Sequence, residues 1–457
     1  MIDYIIVGSG PSGGRFAFDL VSRGAKCILL EAGPYFTKKD FPMIEAVGSA
    51  KLYWGGGVEL STDAKMGFLR ARAVGGTSIV NQALLDEFDD DAWDDWRAKS
   101  GVDAFKTATF RPYYDSVAKE ASIQEIDKKY FNNNTKLFCD SFDKNGYKWK
   151  ALDRGQKDCK LAEGMDCMAC LAGCPRDSKQ SSMVTTVRMA EAKGLKVESE
   201  FEVGRIEHFD DHVIVHGLQR GEKKSLTARH VVLAAGSFGT TKILLQSGLE
   251  KKLPALGKGI SAHPQFMTYA YYDQPINAHK GTFQGVKSYD PKLRKMRMKL
   301  ENVFAPPIAT AMLIDGFGHE HLKSMRQYKY LASMEVAIRD DASGILKVDR
   351  SGKLHVEKSL TENDKTKVTA GLELVRELFG STGAKRIQAS SAVFGLHLMG
   401  GCAIGTDGSK SVVNPDFQVH GFKNLTIADS SVFPSAPGIN PSLTVMALSH
   451  FAAEKLK

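Results

Sequence analysis

The run Tyr4-Ile5-Ile6-Val7 leads directly into Gly8-Ser9-Gly10-Pro11-Ser12-Gly13, and nothing else in the chain limits its fold as tightly. The stretch Arg15 to Ser22 then places Phe16, Leu20 and Val21 at helical spacing. After it, Cys27-Ile28-Leu29-Leu30 reads as a second buried strand that ends in Glu31-Ala32-Gly33. Strand, glycine turn, helix, strand and acid, with about 20 residues from first glycine to acid, form the βαβ unit that binds a nucleotide. Gly8 permits the tight turn, Gly10 lets backbone approach a pyrophosphate, and Gly13 lets the helix pack on the strand. The helix N-terminus faces the phosphates, and Glu31 can accept hydrogen bonds from a ribose diol. The motif alone does not separate FAD from NAD.

At 457 residues the chain is too long for one simple core and long enough for two interlocked domains. Its 43% hydrophobic and 25% charged residues are those of a soluble globular protein, which excludes a collagen-like fibre or a disulfide-dense scaffold. Apolar runs such as Val231 to Ala235 fall far short of the roughly 18 residues of a membrane helix. The net charge of +8 is diffuse, so no nucleic-acid stripe is expected. Met1-Ile2-Asp3 enters a strand at once, without the basic start and apolar stretch of a secretory signal. The expected location is the cytoplasm, or the periplasm if the chain is exported with a signal-bearing partner.

The expected fold class is α/β, a Rossmann-like nucleotide domain with a second domain of antiparallel sheet plus helices. Glu202 to Ile206, Val213 to Val215 and His230 to Gly236 return to the first layer as strands. From about Tyr269 to Val393 the texture changes, with alternation in Phe266 to Tyr272 and Met334 to Arg339 and a helix near Asp364 to Phe379. The boundaries that follow are 1–90, 176–265 and 394–457 for the nucleotide domain. Residues 91–175 form a helical, Cys-rich insert and 266–393 the substrate domain. The acidic run Asp86 to Asp95 reads as a solvated helix start. The basic run Lys292 to Lys299 reads as a solvated strand, or as a contact for an acidic redox partner.

Four separated motifs resemble the glucose-methanol-choline oxidoreductases, FAD-dependent enzymes that oxidise alcohols and sugars. They are the N-terminal fingerprint with Glu31-Ala32-Gly33, Arg72 to Asn81, Ala235 to Gly248, and the run from His397 to Pro441. The resemblance implies FAD, held by Gly8, Ser9, Gly10, Pro11, Ser12, Gly13, Glu31 and Ala32. It further implies that Gly75, Gly76, Thr77, Ser78 and Asn81 line the flavin, with Pro441 also at the cofactor. By the same likeness Val203 meets the adenine, and Asp429 sits near the ribityl and pyrophosphate. The Gly75 to Ser78 turn holds no histidine or cysteine, so dissociable FAD is expected.

Leu396-His397-Leu398-Met399-Gly400-Gly401-Cys402 matches the family's active-site histidine motif, and Gly438-Ile439-Asn440-Pro441 carries the asparagine form of its second position. That form looks most like cholesterol oxidases and related alcohol oxidoreductases. Neutral imidazole can take a hydroxyl proton, Asn440 can hold the substrate oxygen, and the flavin accepts the hydride. His263 is expected to be structural, and His319, His321 and His420 to lie at the surface. The expected function is a dehydrogenase acting on an alcohol or sugar hydroxyl, with electrons passed to an acceptor other than NAD. The alternatives are an oxygen-using oxidase that makes hydrogen peroxide and, from another class, an electron-transfer flavoprotein subunit of a cytochrome-linked complex.

Four of the seven cysteines crowd into residues 159–174. Cys167, Cys170 and Cys174 stand as C-x2-C-x3-C-P, part of a ferredoxin run, and Cys159 could supply a fourth thiolate. The segment resembles the Cys-rich stretch of family sugar dehydrogenases, which implies an iron–sulfur cluster, a small chaperone-like subunit and a cytochrome acceptor. It also resembles long-chain alcohol oxidases. Inert thiols, a disulfide and an all-cysteine zinc site stay open beside the iron–sulfur reading.

Overall fold

The computed structural model describes residues 1–42, 44–159, 170–282 and 284–456. β1 (Ile2–Val7) runs into α1 (Pro11–Ser22), which returns to β2 (Cys27–Leu30). The two strands pair in parallel, Ile5 against Ile28 and Val7 against Leu30. Gly8 turns at φ +98°, and a Cβ on Gly13 would run into the Gly8 carbonyl. That approach of α1 to β1 is open only to glycine.

The first sheet has seven strands, in the order Lys196–Glu198, β2, β1, Glu222–Leu233, Val213–Gln219, Phe201–His208, with Leu425–Ile427 beside Glu222–Leu233. Lys196–Glu198, β2, β1, the end of Glu222–Leu233 and Leu425–Ile427 are parallel. Val213–Gln219 and Phe201–His208 fold back antiparallel. Helix α1 and the C-terminal helix Ser442–Lys455 pack together beside it. Ile5, Ile6, Phe16, Leu29, Val232 and Leu448 are all buried in this core, so the strands read as near-continuous apolar runs.

The second sheet has nine strands, centred on Pro264–Tyr271, Leu331–Ile338 and Met298–Asn302. Its membership reaches beyond residues 266–393: Glu59–Leu60, Gly67–Phe68, Trp149–Ala151 and Phe394–Gly395 also belong to it. One face is apolar and lies under helix Glu362–Ser381, which starts on a Thr361–Asp364 capping box and buries Leu374, Val375, Leu378 and Phe379. Packing there is close enough that a Cβ on Gly371 would stand 2.6 Å from Val336. The other face is polar. Met267 opposes Glu335, Glu335 opposes Glu301, and Glu301 opposes Lys287, so their side chains share that face. The alternation of these strands is antiparallel as expected, yet Pro264–Tyr271 and Leu331–Ile338 are buried at every residue. The polar face looks into the molecule.

The acidic run starts a helix with most of its acids exposed, as read from the sequence, but the two charge runs also meet, and part of each is buried. Asp89 does cap helix Asp90–Ser100 through the Ala92 N–H. It also meets Arg294 at 2.6 Å, while Asp91 meets Arg297 at 3.1 Å. Arg339 joins Asp91 and Asp95 at 3.0 and 2.6 Å, and Asp86 is buried against Lys287. The basic run itself divides into a short helix, Pro291–Lys295, and the strand Met298–Asn302, in which Lys299 is largely buried. Among the described residues no helix is long and apolar enough to cross a membrane.

Candidate active site

One cavity of about 1110 Å³ is lined from both sheets. Its first end is the glycine turn after β1, with Gly8, Ser9, Gly10, Pro11 and Ser12 on its wall beside Glu31 and Ala32. The Ser9 hydroxyl donates to Glu31 Oε2 at 2.6 Å and accepts the Gly75 N–H at 2.9 Å. Gly33 N–H donates to Glu31 Oε1 at 2.8 Å. Ser9 thus ties the first glycine motif to the second. Burial pushes the Glu31 carboxyl above its usual range, and the Ser9 and Gly33 donors offset only part of that.

Gly76, Thr77, Ser78 and Asn81 continue the wall, with Val203, Asp429 and Pro441 across from them. Gly76 has φ +55°, and a Cβ there would stand 2.8 Å from Gly10 Cα. Gly13 and Gly75 stand behind the wall and shape it, one beneath the turn and the other through its N–H. Asp429 lines the cavity but its carboxylate is turned into the protein. It accepts from Gly236 N–H at 2.8 Å, Thr240 Oγ1 at 2.6 Å and Ser431 N–H at 2.8 Å.

These residues fit FAD. Helix α1 begins with no side-chain cap, so its first N–H groups are left for a ligand. Ser12 Oγ, on the same turn, is buried without a partner among the described residues. Open donors at a helix N-terminus beside a glycine floor suit a pyrophosphate.

The far end of the cavity holds His397 and Asn440. Gly395 pairs with Pro264 and Met399 bridges Ser261, so the histidine segment runs antiparallel to Ser261–Pro264. That register sets His397 against His263, their Nδ1 atoms 3.0 Å apart. His263, expected from the sequence to be structural, stands directly against the His397 ring. It is 3% exposed, and its Nε2 accepts the Gly438 N–H at 2.9 Å. Burial, helped by Lys299, pulls the His397 imidazole down to about 3. Burial also pulls His263 well down, with His397 and Lys299 adding to it.

Asn440 is clamped from both sides. Lys299 Nζ donates to its Oδ1 at 2.9 Å, and its Nδ2 donates to Asp86 Oδ2 at 3.1 Å. Lys299 also pairs with Glu301 at 2.8 Å, and Gln284 Nε2 donates to Glu301 Oε2 at 3.0 Å. Burial opposes ionisation of Asp86, and Lys287 with Lys299 outweighs it, so the carboxyl lies below its ordinary range. Burial pushes the Glu335 carboxyl well above its ordinary range, and Glu301 beside it adds to that. Glu335 also lines this end of the cavity.

Sequence reasoning missed Lys299, Glu301, Glu335 and Asp86. One signal was available: in Met298–Asn302, Lys299 and Glu301 alternate with Met298 and Leu300, which places an ion pair on one face of a strand.

The cysteine segment lies apart from this end. Cys159, Cys170 and Cys174 line a separate narrow cavity with Arg154 and Lys179, while Cys167 lies outside the described residues. Lys179 Nζ donates to the carbonyls of Cys170, Asn81 and Ile79 at 2.6, 2.8 and 2.5 Å. It ties the segment to the turn that follows Gly76. Among the described residues no three metal-ligating side chains are grouped to hold an ion.

Two family models described as GMC oxidoreductase match the chain, over residues 49–265 and 345–449. A GMC-type oxidoreductase of Sinorhizobium fredii is 25% identical over 99% of this chain and 94% of its own length. A long-chain-alcohol oxidase of Arabidopsis thaliana is 23% identical over 99% of this chain and 67% of its own. In three dimensions the chain is similar to a pyridoxine 4-oxidase, with a TM-score of 0.79, 14% identity, and coverage of 100% of this chain and 99% of the other.

Proposed function

The chain belongs to the GMC oxidoreductase family, FAD-dependent enzymes that act on CH–OH groups, and on that premise we propose that it oxidises a small alcohol carrying further polar groups. Bound FAD would lie along the wall from Glu31 to Asn81 and would supply the hydride acceptor. His397 is the group at the substrate oxygen, and Asn440 is fixed beside it by Lys299 and Asp86. The positive charge of Lys299 behind Asn440 favours the negative charge that develops on the oxygen.

The observation that carries this reading is the continuity of one cavity from the nucleotide turn to the His397–Asn440 end. The polar substrate is supported by Glu335, Glu301, Gln265 and Gln284 on the same wall. A plain alkyl or sterol alcohol would offer that wall no hydrogen bonds, and each buried polar atom there that Lys299 or Gln284 does not already satisfy would cost about 1–3 kcal/mol. The test is anaerobic addition of alcohols to the flavin-loaded protein. Bleaching of the flavin by polyols or polar aromatic alcohols, and not by long-chain alcohols, is expected. No bleaching by any alcohol would end the reading.

For the electron acceptor we propose oxygen, on the support of relatives whose names are alcohol oxidase and cholesterol oxidase. The second reading is a dehydrogenase that feeds a cluster or a cytochrome. It rests on the three cysteines that line one narrow cavity. Hydrogen peroxide formed in step with product supports the first. Turnover only with dyes, together with iron and labile sulfide in anaerobically purified protein, supports the second.

A further inference from the structure

We propose that His263 is a positioning residue that holds His397 with its proton on Nε2, so that His397 meets the substrate oxygen as a hydrogen-bond donor. This rests on the alcohol-oxidation reading for its substrate, though not for its tautomers. It replaces the base role that the sequence motif suggested for His397.

A backbone N–H can only donate. The Gly438 N–H donates to His263 Nε2 at 2.9 Å, so that nitrogen carries a lone pair. A neutral imidazole has one N–H, which places the His263 proton on Nδ1. That nitrogen lies 3.0 Å from His397 Nδ1, with the rings nearly perpendicular at 86°. The bond therefore runs from His263 to His397, and His397 Nδ1 is its acceptor. The one proton of a neutral His397 then stands on Nε2, the only ring nitrogen left for the cavity.

Charging either ring breaks the chain. A proton on His263 Nε2 would face the Gly438 N–H, and one on His397 Nδ1 would face the His263 N–H. The surroundings act the same way. Burial, Lys299, Arg339 and Arg294 disfavour a cation at His263, and burial and Lys299 disfavour one at His397, where Asp86 gives partial relief.

His263 is itself firmly set. Its φ is +45°, unusual for a side-chain-bearing residue, and its N–H donates to buried Asp340 at 3.0 Å. Pro264 follows and begins the central strand of the second sheet. Strained backbone of this kind persists only where its surroundings over-determine it, and it gathers at functional sites. When the substrate O–H bond breaks, its proton passes to the Glu301 carboxylate on the cavity wall and the electron pair stays on oxygen. There the His397 N–H stabilises it.

The test is nitrogen NMR on flavin-loaded enzyme labelled with 15N-histidine, in which ring nitrogens with and without a proton have distinct shifts. His397 signals are assigned by their loss in His397→Gln. The expected result is a protonated Nε2 and a bare Nδ1 at His397. In His263→Ala the proton should spread over both nitrogens and kcat should fall about tenfold at unchanged flavin loading. His263→Asn, which can restore an N–H donor, should recover the wild-type tautomer. A protonated Nδ1 at His397 in the wild-type enzyme overturns the proposal, and so does a tautomer indifferent to His263→Ala. If the alanine variant does not load flavin, the wild-type spectrum still decides. The expected tautomer in a protein that oxidises no alcohol would sink the proposed reaction and leave this assignment standing.

Discussion

Asn440 Nδ2 donates to Asp86 Oδ2 at 3.1 Å across 354 residues of chain. Asp86 is buried with Lys287 and Lys299 as its cationic neighbours. Removing its charge takes the anion from buried Lys287, while Lys299 keeps Glu301. Asp86→Ala is therefore expected to cost about 3–5 kcal/mol of stability. Urea unfolding measures it, and a loss under about 1 kcal/mol would contradict the clamp. The milder Asp86→Asn keeps an acceptor for Asn440 and should lose less.

His397 is the side chain nearest the proposed chemistry. His397→Ala is expected to lower kcat by about 10²–10³, the usual cost of one lost donor at a developing oxyanion. Flavin absorbance per mole of protein should not change, because the nucleotide wall lies at the other end of the cavity. Near-normal turnover would remove His397 from the reaction.

Gly76 touches Gly10 across the nucleotide end, at φ +55°. Gly76→Ala places a methyl group 2.8 Å from Gly10 Cα in a backbone region that side chains avoid. The purified variant should carry little or no flavin, read from its visible spectrum. Full loading would show that the two turns do not form the floor of the site.

Acid should destabilise the protein through His397, which lines the site, and His263 behind it. A histidine in the unfolded chain titrates near 6.5. His397 in the folded protein does so at about 3, and His263 also lies well below its usual value. Between these values the unfolded chain binds protons that the folded one refuses. Stability from this source is complete above about pH 6.5 and is lost as pH falls, by up to about 1.4 kcal/mol per pH unit for each histidine. Unfolding free energies measured across this range should show the slope, and His397→Gln should flatten it. An unchanged slope in that variant would contradict the depressed imidazole.

The nucleotide turn was legible in the sequence because its physics is local. Gly8, Gly10, Gly13 and Glu31 lie on one strand–turn–helix–strand unit, and their spacing alone fixes where each points. The motif around His397 was legible only through its resemblance to a family pattern, since a lone histidine carries no such local signal. What surrounds it was not. Glu335 reaches the cavity, and His263, Lys299 and Asp86 reach the His397–Asn440 pair behind it, only through the register of the second sheet and the clasp of the acidic run against the basic one. A run such as Asp86 to Asp95 shows its charge in one dimension but not its partner, so a solvated face and a buried ion pair look alike. The choice of proton on His397 is further still from the sequence. It depends on one backbone N–H, that of Gly438, arriving at His263 from another part of the chain. Local spacing thus determined the cofactor wall, and long-range strand register with buried electrostatics decided what the catalytic end can do.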